Sequence, residues 1–193
     1  MVRTMVNSNQ VEIITEQLVA VKLLLSRIEK AASDKFIEMM LPAGRIFVTG
    51  QGRSGLVAQC LAVRLAQMGL NVNIPGGATC QRVGPGDLLI AVSCRGTTIT
   101  TVDYARIARQ AGAKVVALTA FGKSELAKLA DQVLLIPSDD EDIRNKCKFI
   151  VGPNNNTLFE EAALLYVDGL VYMLIKRKGI SEDVMNQQHT NLE

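Results

Sequence analysis

Two segments of this chain combine glycine, hydroxyl and arginine side chains at a spacing suited to holding an oxyanion. The first is Gly50-Gln51-Gly52-Arg53-Ser54-Gly55 and the second is Ser93-Cys94-Arg95-Gly96-Thr97-Thr98. Backbone N–H groups at a helix start have no intrahelical partner, and glycine lets an anion approach them closely. Ser54, Ser93, Thr97 and Thr98 add hydroxyl groups, and Arg53 and Arg95 offer charge-assisted bonds. Arg53 reads either as a phosphate ligand or as the partner of a surface acid, and Arg95 as a clamp or a solvated side chain. Cys94 reads either as a thiol activated by a helix N-terminus or as a small buried loop residue.

Gly50, Gly52 and Gly55 also spell Gly-x-Gly-x-x-Gly, the dinucleotide fingerprint. That reading demands an acid at the end of the second strand, roughly 20 residues on, to bind the ribose. The corresponding stretch is Ile74-Pro75-Gly76-Gly77, with no acid. A phosphate monoester is the better match.

The elements that must position these loops alternate. Short apolar runs predict strands at Arg45–Thr49, Asn71–Ile74, Leu88–Val92, Lys114–Thr119 and Gln132–Ile136. Helical spacing intervenes at Ser54–Met68, Thr98–Gln110 and Ser124–Leu129. Such alternation implies an α/β fold: a five-stranded parallel sheet with helices on both faces, in the flavodoxin-like order 2-1-3-4-5. Ligands of such sheets bind where the strand order reverses, between the first and third strands. Those two strands carry the two loops.

Ahead of the sheet, Ile13, Ile14, Leu18, Val21, Leu25 and Ile28 predict one amphipathic helix over Gln10–Ala32. Ser33 is expected to cap a second helix ending at Met40. After it, Asp139-Asp140-Glu141-Asp142 reads as a solvated loop and Gly152–Asn156 as a turn. A long apolar helix is predicted from Leu158 to about Lys176, and a last helix from Ser181. Thr157-Leu158-Phe159-Glu160 has the pattern of a capping box ahead of the apolar run. One domain is expected, with a helical extension over 1–44 and helices over 157–193.

Composition narrows the partners. A net charge of +2, with no Trp and no basic cluster, speaks against nucleic acid. No stretch reaches the ~20 apolar residues of a membrane span. Met1-Val2-Arg3-Thr4 lacks the layout of a secretory leader, and Cys60, Cys80, Cys94 and Cys147 form no Cys-x-x-Cys pair. These features predict reduced thiols and a cytoplasmic protein. A single histidine, His189, rules out a multi-histidine metal site within one chain.

The chain resembles the sugar isomerase (SIS) domains, most closely the 6-phospho-3-hexuloisomerases. The resemblance is carried by Gly50–Gly55, Met68-Gly69-Leu70-Asn71-Val72, Gly86-Asp87-Leu88-Leu89-Ile90, Leu158-Phe159-Glu160 and His189-Thr190-Asn191-Leu192-Glu193. It implies a three-layer SIS fold and the interconversion of 3-hexulose 6-phosphate and fructose 6-phosphate. The route implied is a cis-enediol, with no metal or organic cofactor. The resemblance implies Glu160 as the base, beside the capping role its pattern allows, and His189 as a helper in proton transfer or ring opening. Gly52, Arg53, Ser54, Ser93, Arg95, Thr97 and Thr98 are the expected phosphate site. The second loop departs from the family's Ser-Gly-Ser-Gly-Glu-Thr, losing an acid and gaining Arg95. The rival reading is a non-catalytic regulatory protein that binds a sugar phosphate. The apolar stripe Ile14, Leu18, Val21, Leu25 and Ile28, with an apolar helix after Leu158, predicts a homo-oligomer. The resemblance favours a tetramer with a site shared between subunits.

Overall fold

The computed structural model describes residues 9–138, 141–146 and 156–192. Five parallel strands form one sheet in the order β2-β1-β3-β4-β5: β1 (Ile46–Gly50), β2 (Val72–Asn73), β3 (Leu88–Val92), β4 (Lys114–Thr119) and β5 (Gln132–Leu135). The predicted order and parallel pairing are observed. Successive strand residues point to opposite faces, and here both faces are covered. Ile46, Val48, Leu88, Ile90, Val92, Val116 and Leu118 enter one core cluster. Phe47, Leu89, Ala91, Val115 and Ala117 enter the other. The two-residue period of each strand therefore builds two cores, one under each helical layer.

The first layer holds α1 (Gln10–Leu25), α2 (Lys30–Met40), α3 (Gly52–Gln67) and α7 (Asn156–Lys178). The second holds α4 (Ile99–Gln110) and α5 (Glu125–Leu129). Two short helices, α6 (Glu141–Lys146) and α8 (Glu182–Gln187), complete the described residues. None of the described helices is long and apolar enough to cross a membrane.

Four expectations need correction. The first helix ends at Leu25, not Ala32, and the second begins at Lys30. Ser26 Oγ bonds back to the Leu23 carbonyl at 2.7 Å, and Glu29 is extended. Neither glycine nor proline marks this break, so the apolar spacing runs through it unseen. Ser33 is accordingly inside α2 rather than at its cap, where its hydroxyl meets the Tyr166 hydroxyl at 2.8 Å. The acidic run is not wholly a solvated loop. Glu141 and Asp142 open α6, where acids suit the positive end of the helix dipole. Ile143 behind them is fully buried. Finally, the apolar stripe of α1 is split. Val21 is buried with Ala20 and Leu24, whereas Ile14 and Leu18 remain exposed beside Val11 and Val19. Asp139, Asp140, Cys147, most of the predicted turn at 152–156, the four N-terminal residues and Glu193 lie outside the described residues.

Candidate active site

The register pairs Gly50, the last residue of β1, with Val92, the last of β3. Here the chain order of the sheet reverses, and both loops leave the sheet side by side. Gly50 is required by crowding: a Cβ there would lie 2.7 Å from the Ser54 carbonyl oxygen and 2.9 Å from that of Val92. This tightness lets α3 start at Gly52, directly above the strand end. Its first-turn N–H groups then face the crevice. Ser54 is buried in that turn, while Gly52 and Arg53 are exposed.

The second loop is pinned from below. The Cys94 carbonyl accepts from Thr119 Oγ1 and from the Ala120 N–H, each at 2.9 Å. The Gly96 carbonyl accepts from the Leu126 N–H at 3.0 Å. Gly96 has φ 65°, and a Cβ there would meet Ser124 Oγ, the cap of α5, at 2.2 Å. The loop is thus built around backbone that only glycine fits. Ser93 Oγ accepts from the Gly96 N–H at 3.2 Å and lies 3.2 Å from Thr98 Oγ1. Thr98 is the N-cap of α4 but makes no side-chain cap bond. Both hydroxyls therefore have hydrogen-bonding capacity left for a ligand.

Between the loops lies a cavity of about 280 Å³. Gln51, Gly52, Arg53 and Ser54 line one wall and Val92, Ser93, Cys94, Arg95 and Thr98 the other. The first turns of α7 close it with Thr157 and Glu160. Of the nine residues expected here, seven line this cavity. Thr97 is exposed and does not line it, although Thr98 beside it does. His189 does not line it either; its ring Nδ1 is 3.1 Å from the Thr190 carbonyl on the exposed tail after α8. Gln51, Thr157 and Val92 were not anticipated as lining residues. Position within the loop itself could have flagged Gln51. The buried loop-residue reading of Cys94 is the one observed, at 5% exposed.

Glu160 is only 8% exposed, and its Oε2 accepts from Arg53 Nε at 2.5 Å. The capping-box reading places Thr157 at the cap and Glu160 at the third helical position. Instead α7 already begins at Asn156, so Thr157 lies within the first turn. Arg53, read from sequence as a phosphate ligand or a surface partner, sits in the cavity and is bound to the buried acid. Arg53 and Arg95 against Glu160 leave the lining one positive charge in excess, which suits an incoming anion. Next to this pair, burial pushes the Glu161 carboxyl above its ordinary range; Arg53 opposes the shift and the Glu160 charge adds to it. A second cavity of about 180 Å³ opens on the other side of Arg53 and Glu160, between α3 and α7.

Chemically, the site offers an anion cradle at one end and a buried, oriented carboxylate at the other. Comparison with known proteins shows the family. The SIS domain pattern matches residues 39–157. The chain is 31% identical over 180 residues to the 3-hexulose-6-phosphate isomerase of Methylomonas aminofaciens, covering 92% of this chain and 98% of that one. It is 33% identical over 166 residues to the 3-hexulose-6-phosphate isomerase of Bacillus subtilis, covering 86% and 89%. A solved structure from Methanococcus jannaschii, from which a 3-hexulose-6-phosphate isomerase function was inferred, superposes with a TM-score of 0.80 at 25% identity. That match covers 95% of this chain and 99% of the other.

Proposed function

Because the chain belongs to the SIS domain family, we propose that it is a phosphosugar isomerase interconverting 3-hexulose 6-phosphate and fructose 6-phosphate. The observation that carries this reading is the buried Glu160 in the wall of a cavity whose other walls are two anion-cradling loops. Relatives named 3-hexulose-6-phosphate isomerase that match along most of the chain supply the substrate.

The chemistry is a proton shift between neighbouring carbons. In the direction of fructose 6-phosphate, Glu160 takes the proton from C2 as the C3 carbonyl oxygen gains one. The product is a 2,3-enediol. Return of the carbon-bound proton to C3 and loss of the O2 proton leave the carbonyl at C2. Atoms and charge balance without a redox partner. Ser54, Ser93 and Thr98, with the N–H groups at the start of α3, hold the phosphate, and Arg95 faces it from the second loop. A fixed phosphate holds the reacting carbons in place against the carboxylate, which converts the proton transfer into a step within one complex.

The working protein on this reading is a cytoplasmic homo-oligomer, a tetramer, with its site completed across a subunit interface. Exposed apolar side chains support it: Val11, Ile14, Leu18 and Val19 on α1, Leu56 and Val63 on α3, and Leu165 and Tyr172 on α7. His189 lies on a short exposed tail, outside the cavity of its own chain, and on this reading it serves a neighbour's. Each chain is read as one SIS unit with a helical extension over 1–44 and helices over 157–193. Cys60 and Cys80 are free thiols, which suits a reducing compartment.

The test is incubation of the purified protein with a panel of hexulose and pentulose phosphates, read by product NMR in heavy water. Deuterium entering C2 or C3 of a hexulose phosphate supports the mechanism. Binding of the phosphosugar without any conversion would favour a sensor built on the same fold.

A further inference from the structure

Resting on the reading of Glu160 as the base, we infer that Arg53 is a positioning residue that makes this base depend on the phosphate. A single guanidinium spans the two. Arg53 is the second residue of α3, in the turn that cradles the anion. Its Nε is already committed to Glu160 Oε2, 2.5 Å away. The side chain is 62% exposed, and the carboxylate it holds is 9% exposed. Four of the five guanidinium N–H bonds are on the terminal nitrogens, which have no partner among the described residues. They are free to meet a phosphate in the cavity that Arg53 lines.

The two arginines of the site therefore have different parts. Arg95 is exposed on the opposite wall and makes no ion pair among the described residues, so it is a plain anion clamp. Its contribution is the same in ground and transition states and belongs to binding. Arg53 is divided between an anion of the protein and an anion of the ligand. With the cavity empty, its charge rests on Glu160. When a phosphate arrives, the terminal nitrogens turn to it while Nε keeps the carboxylate oriented. The charge neutralising Glu160 is then shared, so the carboxylate is a better proton acceptor when the phosphate is in place. Glu161, adjacent on α7, is a second anion near the same guanidinium and adds to the competition. A lysine at position 53 carries the charge but lacks a planar fork that reaches both anions at once.

Calorimetric titration of fructose 6-phosphate, repeated with inorganic phosphate, decides the bridge without reference to turnover. The proteins are wild type, Glu160→Gln, Arg53→Ala and the double variant. Removing the competing carboxylate tightens binding several-fold where Arg53 is present. The same change in the Arg53→Ala background gives no gain. An equal gain in both backgrounds shows simple charge repulsion and overturns the bridge, as does no gain in either. Turnover provides the second arm. Arg53→Ala lowers kcat on the order of 10²-fold, as expected when a reacting group is misplaced. Added methylguanidinium recovers part of it, and Arg53→Lys restores KM but not kcat. Arg95→Ala raises KM and leaves kcat. A pure KM effect at Arg53, in a variant whose thermal melt matches wild type, overturns the inference and leaves the isomerase reading intact. Absence of turnover in wild type removes the isomerase reading, while the titrations still decide the bridge. No binding of either probe overturns both.

Discussion

Glu160→Gln separates the proposed catalytic role of this carboxylate from a structural one. The substitution keeps volume and one acceptor oxygen and deletes the charge and the basicity. Loss of a general base typically costs 10²–10⁴-fold in rate, equivalent to about 2.7–5.4 kcal/mol on the barrier. The effect on stability is worked from the pair itself. Glu160 is buried, but Arg53 is mostly exposed, so the guanidinium left behind is taken up by water. The ~3–5 kcal/mol penalty for stranding a buried charge does not arise. Glutamine can still accept from Arg53 Nε at the same place. Nor does Glu160 cap α7, which begins at Asn156. The loss of stability should therefore be under ~1 kcal/mol, which for a chain of this size moves the melting temperature by less than about 4 °C. The assay pairs NMR turnover of 3-hexulose 6-phosphate with a thermal melt of the same sample. A variant that melts like wild type and turns over within a few-fold of it would refute Glu160 as the base. A variant that melts far earlier would refute the accounting of the ion pair.

Ser54→Ala removes a buried hydroxyl from the first turn of α3 and should weaken binding of fructose 6-phosphate by about 1.5–3 kcal/mol; unchanged affinity by calorimetry would remove the cradle. Glu161→Gln tests the raised carboxyl. A group whose proton is held more tightly in the folded state stabilises fully below its ordinary value, 4.5, and that contribution is lost as pH rises through the raised value. The melting temperature of Glu161→Gln relative to wild type should therefore climb as pH rises from about 4 and then level off; a difference that stays flat with pH refutes it. Subunits inactivated by Glu160→Gln and by His189→Ala should recover activity when unfolded together and reassembled, since some sites would combine the two intact residues. A monomer by light scattering at micromolar concentration refutes the assembly, and mixed oligomers with no activity refute the shared site alone.

The alternation of strands and helices, the order of the sheet and the place of the two loops were all legible in the residues. Each depends on local patterns: a short unbroken apolar run in β3, and helical spacing of apolar side chains in α3 and α4. Glycine at 50, 52 and 96 marked turns whose backbone admits little else. The resemblance added Glu160, though its neighbours Thr157 and Leu158 also read as a cap. Other features left no local mark. The break after Leu25 uses a serine that bonds its own backbone, a choice open to serine anywhere. The helix at Glu141 follows from burial of one side chain, Ile143, against elements far away in sequence. Ser33 looked like a cap because its true partner, Tyr166, lies 133 residues on. The contact on which the proposed chemistry turns is of the same kind. Arg53 and Glu160 are 107 residues apart, on helices that meet only once the sheet has set their positions. Backbone preference is written in neighbouring residues. The pairing of one charge with another is a property of the packed whole, because it depends on which helix ends the sheet brings together.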